Sequence, residues 1–291
     1  MSPGNIGLAV FYSIISTLNF AVMSALIKSV SQYPLSQLVF FRSAIAFVVL
    51  LVVWLPRDGL RVFSTKRPIA HLTRSTFGLT SMYCYFYGYQ KLPLADASAL
   101  GFSLPLFIAL FAPFVVNESV WLHRWAGILI GFLGMLLMVR PGGELWQMGS
   151  LVVILGTILG AFAMLTLRVL GRTEREVTTV VYFSLGCSLI SSIPLFWVWQ
   201  APNTLDLMRL VGSGVAGAAG QIALVLTYTY GEASFVGASE YLRLIWAAAL
   251  GYIFWAEVPS VEVIIGSIVV ILSQFFIVAK ERKRMAKKVG A

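Results

Sequence analysis

The chain has 291 residues, of which 59% are hydrophobic, 13% aromatic and only 11% charged, and its mean hydropathy is +0.87. Because a soluble domain is about 45–50% apolar and about 25% charged, this composition excludes a soluble enzyme, a disordered chain and a nucleic-acid-binding domain. The net charge of +9 and the pI of about 9.7 are therefore interpreted through the positions of the basic residues relative to a membrane. The two cysteines, Cys84 and Cys187, lie in apolar runs and predict packing roles rather than a disulfide.

Ten stretches along the chain are apolar enough to predict membrane-spanning helices, each of which needs about 20 residues. The connections between them are short, so they leave no room for an extramembrane domain. The predicted fold class is an all-α membrane protein with ten transmembrane helices. The predicted spans are 6–28, 36–55, 68–90, 94–116, 122–140, 148–170, 177–199, 207–230, 233–256 and 259–279.

The basic residues predict the orientation. With a cytoplasmic N-terminus, 14 of the 21 lysine and arginine residues lie on the cytoplasmic side, which agrees with the positive-inside rule and places both termini in the cytoplasm. Residues 280–291 then form a basic cytoplasmic tail. Its simpler role is to hold the last helix in place, and binding to anionic lipid is the alternative. The other basic residues are Lys28, Lys91, Arg140 and Arg209 on the outer side and Arg42, Arg74 and Arg243 within spans.

Comparison of the chain with itself reveals an internal repeat. It divides the chain into two units of five predicted helices, residues 1–142 and 143–279, followed by the tail. Because five is odd, the second unit crosses the membrane in the opposite sense, which predicts an inverted-topology repeat. Such repeats are typical of alternating-access carriers, whose substrate site lies near the membrane midplane. The matched pairs include Glu118 with Glu257, Gly127 with Gly266 and Tyr89 with Tyr228 at an offset of 139 residues, and Phe20 with Phe162 at an offset of 142.

Two related segments carry a family resemblance. The first is YGYQKLPLADAS at 87–98, and the second is YTYGEAS at 228–234. Each is followed by the repeated glutamate, Glu118 or Glu257. These segments resemble the EamA-type repeat of the drug/metabolite transporter superfamily, and the resemblance covers nearly the whole chain. Within the superfamily the chain is most similar to bacterial inner-membrane exporters of amino acids, including aromatic ones, which implies an exporter in the inner membrane.

The deepest predicted charges lie in the ninth span. Arg243 is near its middle, where a charge is costly and marks a functional candidate. Glu240 lies three residues earlier on the same helical face. In the functional interpretation Arg243 binds a substrate carboxylate, and Glu240 binds an ammonium group or a coupling proton. In the structural alternative the two form an ion pair that only holds the bundle together.

Two further groups of residues are assigned to structure or gating. Arg42 and Asp96 lie at compatible depths below the outer surface, which favours a structural ion pair or a snorkelling Arg42 over a binding role. Pro105 is expected to break or kink the fourth span. Glu118 and Glu257 end equivalent helices on opposite faces, which suggests a structural or gating role at those ends.

Five uncharged side chains are further candidates to line a central cavity. Tyr83 and Tyr87 share a helical face and can stack on an aromatic or apolar solute, as can Trp246 in the ninth span. Asn19 and Gln221 are polar groups near the middle of the first and eighth spans. For each of them, packing against or bonding to a neighbouring helix is the alternative.

The leading hypothesis is a secondary active transporter that exports small amphiphilic metabolites, amino acids including aromatic ones, by alternating access. One alternative is a carrier of phosphorylated or nucleotide-linked solutes, which calls for several converging cations. The other is an intramembrane enzyme that acts on lipid, which calls for a catalytic pair or metal cluster. His71 and His123 are isolated and no P-loop is present, so no catalytic residue, metal site or cofactor is predicted. The predicted partners are a small-molecule substrate and membrane lipids, and a monomer is compatible with this architecture.

Overall fold

A computed structural model describes residues 6–116, 122–139, 148–171, 173–230 and 242–289. Every regular element in these ranges is a helix, which confirms the predicted all-α class. Five of the described helical stretches are long and apolar enough to cross a membrane, and shorter apolar helices accompany them. The count of ten spans and the inverted topology stay predictions.

The described residues form twelve α-helices and one 3₁₀ helix. In the first half they are α1 (Ile6–Ser29), α2 (Leu35–Asp58), the 3₁₀ helix Gly59–Phe63, α3 (Pro68–Lys91), α4 (Leu94–Gly101), α5 (Leu104–Val116) and α6 (Leu122–Val139). In the second half they are α7 (Met148–Leu170), α8 (Glu176–Ser192), α9 (Leu195–Val198), α10 (Thr204–Tyr230), α11 (Leu242–Trp255) and α12 (Val261–Val289).

The fourth predicted span is divided into α4 and α5. The first of these ends at Gly101 and the second begins at Leu104. Pro105 is the second residue of α5, where its missing N–H would have no partner within the helix. The carbonyl of Ser103 accepts the N–H of Leu106 at 3.0 Å, so the new helix starts directly after the division.

The seventh predicted span is shorter than expected. Its helix, α8, ends at Ser192, and the one-turn α9 follows Pro194, which has no backbone N–H to continue the hydrogen-bond ladder. Phe196 and Trp197 lie in α9 and are largely exposed. Exposed aromatic rings at a helix end are typical of the membrane–water interface.

The main helix packing joins the two predicted units to each other. Helix α1 packs along α10, α3 along α7, α2 along α8 and α6 along α12. Each of these pairs takes one helix from residues 1–142 and one helix that begins within residues 143–279. The two units are therefore interleaved rather than placed side by side as separate bodies.

Small residues allow these helices to approach closely. A Cβ atom on Gly134 would lie 2.9 Å from the carbonyl oxygen of Gly266, and one on Gly266 would lie 2.5 Å from the carbonyl oxygen of Gly134. In α3, Ser81 Oγ donates to the Gly156 carbonyl of α7 at 2.6 Å. Lipid supplies no hydrophobic driving force between helices, so close packing and interhelical hydrogen bonds of this kind hold the bundle together.

We expect Gly266→Val to lower the free energy of unfolding by about 1–3 kcal/mol, because its side chain overlaps the α6 backbone. Denaturant unfolding of the purified protein in detergent measures this change. The matched control is Gly212→Val, since the nearest atom to a Cβ there is the flexible end of Leu26 at 3.3 Å. Equal losses from the two substitutions would contradict a special requirement at the α6–α12 crossing.

Candidate functional site

Two buried donor atoms lie on one face of α11. Arg243 is the second described residue of that helix, and Trp246 follows three positions later. Arg243 Nε and Trp246 Nε1 are buried, and neither has a hydrogen-bond partner among the described residues. Because buried donors in proteins are almost always paired, this face is a candidate to bind an acceptor group.

Tyr85 of α3 connects three helices in the electrostatic field of Arg243. The charge of Arg243 acts electrostatically on the Tyr85 hydroxyl, which also shares a hydrogen bond of 2.9 Å with Thr157 Oγ1 of α7. A Cβ atom on Gly101, at the end of α4, would lie 3.2 Å from the same hydroxyl. Tyr85 thus joins α3, α4 and α7 beside Arg243. Sequence reasoning missed it because the hydroxyl partner, Thr157, lies 72 positions away.

The uncharged candidates Tyr83, Tyr87, Gln221 and Asn19 lie on three different helices. Tyr83 and Tyr87 are half-buried on α3, and Tyr83 packs against the main apolar core. Gln221 is half-buried on α10. Asn19 donates to the carbonyl of Ile15 in its own helix at 2.8 Å, and it lines a mostly apolar groove of about 550 Å³ between α1 and α10. The Asn19 amide therefore bonds within α1 rather than across to another helix.

A group of contacts that we call the outer clamp joins α1, α11 and the α3–α4 turn at the predicted outer end. Lys28 Nζ contacts Glu257 Oε1 and donates to the Leu92 carbonyl at 2.8 Å. Glu257 Oε2 accepts the backbone N–H of Leu94 at 2.8 Å. The Lys28 ammonium also lies 5.4 Å from the centre of the Trp255 ring. Glu257 thereby holds the ends of three helices together.

Asp96 lies beside the outer clamp, in the first turn of α4. Its side chain is 4% exposed, and its Oδ1 atom has no hydrogen-bond partner among the described residues. The charges that act on it are those of Glu257 and Lys28. Asp96 therefore belongs to a group of two carboxylates and one ammonium at the outer end.

The predicted ion pair between Arg42 and Asp96 is not formed in the described structure. Arg42 is 8% exposed, which also rules out snorkelling to the surface. It lies where α2 meets α8 and α10, near Cys187 and Gly217, whereas Asp96 faces the outer clamp. The two residues lie at similar depths, but they project from their helices in different directions.

The opposite end of the bundle is joined by contacts between the loops that follow α2 and α7. Arg175 pairs with Asp58 at 2.7 Å, and the backbone N–H of Lys66 donates to Glu174 at 2.8 Å. His71, at the start of α3, is buried with its Nε2 atom 4.0 Å from Glu174. Both ends of the bundle thus carry charged contacts between the two predicted units.

Two candidates, Glu118 and Glu240, lie outside the described residues. Within the part of the chain that the structure describes, no group of three or more His, Cys, Asp and Glu side chains is placed to hold a metal ion.

Comparison with known proteins identifies relatives over nearly the whole length. Residues 6–140 match the model of the EamA-like transporter family. The pseudopaline exporter of Pseudomonas aeruginosa is 30% identical over 268 residues, which are 91% of this chain and 93% of that protein. The S-adenosylmethionine uptake transporter of Rickettsia bellii is 28% identical over 87% of each chain. The riboflavin transporter of Vibrio cholerae is 26% identical over 91% of this chain and 92% of that protein.

These relatives confirm the predicted superfamily but not the narrower resemblance, because none of the three is named an aromatic amino-acid exporter. A solved crystal structure superposes with a TM-score of 0.67 at 18% identity, over 94% of this chain and 98% of that one. At this level of identity, the match shows a shared fold.

The outer clamp predicts an energetic coupling between Lys28 and Glu257. Their side chains are only 10% and 21% exposed, so we expect the Lys28→Met and Glu257→Gln double-mutant cycle to give a coupling of about 0.5–3 kcal/mol. Denaturant unfolding of the four proteins in detergent measures it. The comparison cycle, Arg175→Met with Asp58→Asn, removes a more exposed pair and is expected to give less than about 1 kcal/mol. Additive effects for Lys28 and Glu257 would contradict a clamp.

Proposed function

Because the chain belongs to the EamA-like transporter family, we propose that it is a secondary carrier of small amphiphilic solutes across the cell's inner membrane. The supporting observation is the pair of buried donors on α11, Arg243 Nε and Trp246 Nε1, which lack partners among the described residues. An arginine inside a membrane bundle stays charged, so a solute that brings an acidic group relieves the cost of its burial. No cofactor is needed for this step.

We propose that the solute carries a carboxylate next to an apolar or aromatic part, as amino acids do. Arg243 binds the carboxylate through its planar fork of N–H donors. Tyr85 and Trp246 offer ring faces and polar edges in the same region. S-adenosylmethionine, the solute of one relative, combines an amino-acid end with an adenine ring, which agrees with such a site.

We propose that the two units are inverted repeats that rock against each other. The internal alignment matches α1 with α7 and α3 with α10. It therefore relates the α1–α10 pair to the α7–α3 pair, and in both pairs the two helices pack against each other. The α6–α12 crossing supports the same symmetry at the level of single residues. There, a Cβ atom on Gly127 would meet Ile277, and one on Gly266 would meet Met138, the aligned partner of Ile277.

The outer clamp is the proposed gate on the outer side. Opening towards that side must separate Lys28 from Glu257 and release the N–H of Leu94. The direction that we propose is export, which agrees with the name of the pseudopaline exporter, although the S-adenosylmethionine relative is named for uptake.

We expect Arg243→Gln to reduce transport by about 10-fold or more, because a charged hydrogen bond of about 1.5–3 kcal/mol is lost. The measurement is uptake of labelled phenylalanine, S-adenosylmethionine and riboflavin into proteoliposomes, with and without an imposed proton gradient. The control is Arg209→Gln, since Arg209 is bonded to Asp206 and partly exposed at the predicted outer end.

Full transport by Arg243→Gln would remove Arg243 from the proposed site. Failure of the unmodified protein to move phenylalanine would contradict the amino-acid assignment, and uptake of riboflavin alone would favour a substrate without a carboxylate.

A further inference from the structure

Arg42 is a buried cation that the proposed function has not used. It lies seven residues after the start of α2, which is about 10 Å along the helix from the predicted outer end. Its side chain is 8% exposed, and none of the hydrogen bonds or ion pairs of the described residues includes it. A guanidinium stays protonated in proteins, so this is a full charge held within the bundle.

Five acidic side chains of the described chain have assigned interactions, and none of these involves Arg42. Asp96 lies in the field of Lys28 and Glu257, as described above. Asp58 pairs with Arg175, and Glu174 accepts the backbone N–H of Lys66. Asp206 is bonded to Tyr33, Asn203 and Arg209, and Glu257 contacts Lys28. Arg42 therefore has no acidic partner among these groups.

Arg74 is a buried arginine of the same bundle whose side chain does have partners. It is also 8% exposed, but its Nη1 atom donates to the Thr179 carbonyl at 2.6 Å, and its guanidinium lies 4.6 Å from the centre of the Phe183 ring. Both arginines are near Cys187 of α8. Arg74 is thus satisfied by α8, whereas Arg42 has the same burial and no hydrogen-bond acceptor among the described residues.

Gly217 of α10 leaves room for the Arg42 side chain. A Cβ atom at Gly217 would lie 3.3 Å from Arg42 Nε and 3.0 Å from the sulfur of Met23. The guanidinium therefore reaches α10 at a position where even an alanine would crowd it.

We infer that Arg42 is a second anion-binding residue of the transport path and binds a carboxylate or phosphate of the solute. This inference rests on the proposed function. Arg243 lies twelve residues before the end of α11, about 18 Å from the predicted outer end, so Arg42 is the shallower of the two cations. Solutes with a second, separated acidic group bind both arginines, and solutes with one acidic group bind Arg243 alone.

The test is isothermal titration calorimetry on the full-length protein in lipid nanodiscs. The probes are phenylalanine, with one carboxylate, 4-carboxyphenylalanine, with a second carboxylate, and O-phosphotyrosine, with an added phosphate. We expect Arg42→Gln to raise the Kd of the preferred dianionic probe by about 10-fold or more and to change the Kd of phenylalanine less than about twofold. The probe with the larger change identifies the anion as carboxylate or phosphate.

Two glycine variants test the same inference if the Arg42→Gln protein does not fold. Gly217→Ala is expected to weaken the same dianionic probe selectively, because it displaces the guanidinium. Gly212→Ala, on the same helix and next to Leu26, is the matched control and should leave every Kd unchanged.

Three outcomes would overturn the inference: equal weakening of all three probes by Arg42→Gln, no change in any of them, or no binding of either dianionic probe to the unmodified protein. If Arg243→Gln weakens phenylalanine while Arg42→Gln changes nothing, the proposed function stands and only the role of Arg42 falls. If Arg243→Gln also leaves phenylalanine unchanged, the site in the proposed function fails as well.

Discussion

An arginine keeps its charge inside a bundle of membrane helices, so the protein must supply an acceptor or leave the charge for something else to bind. Arg74 has a backbone carbonyl and an aromatic ring. Arg243 and Arg42 have no such arrangement among the described contacts, although both lie within the bundle. The difference between satisfied and unsatisfied charges separates the residues that hold the fold from the residues that we assign to transport.

The same constraint acts on the ends of the helices. Lys28 and Glu257 lie at the predicted outer end, where Glu257 also satisfies the Leu94 N–H at a helix start. Because a contact of this kind can open without leaving a bare charge in lipid, it suits a gate. A charge as deep as Arg243 has no such freedom, which suits a fixed binding group.

The helical class followed from the sequence because hydropathy over about 20 residues is a local property that reports directly on the solvent around a segment. The family followed from the resemblance of the segments at 87–98 and 228–234 to a known repeat. The division of the fourth span at Pro105 had a local chemical signal as well. Depth in the membrane could also be counted along each helix from its ends.

The sequence did not predict the direction in which each side chain projects from its helix. Arg42 and Asp96 were matched by depth, but rotation of α2 and α4 about their axes turns them to different neighbours. For the same reason the sequence does not single out Tyr85, whose hydroxyl bonds to Thr157 of α7 and on which the charge of Arg243 acts. Rotation depends on packing between helices that are far apart in the chain, such as α3 and α7.

The interleaved packing has a consequence for biogenesis. Helices α1, α2 and α3 leave the ribosome and enter the bilayer before α10, α8 and α7, their main packing partners, have been synthesised. Until then, the hydroxyls of Ser16 and Ser81 lack the carbonyls of Gly220 and Gly156 that they bond in the mature bundle. The first half therefore enters the bilayer without the partners that its polar side chains bond in the mature bundle, and we expect a chain that stops midway to stay unassembled.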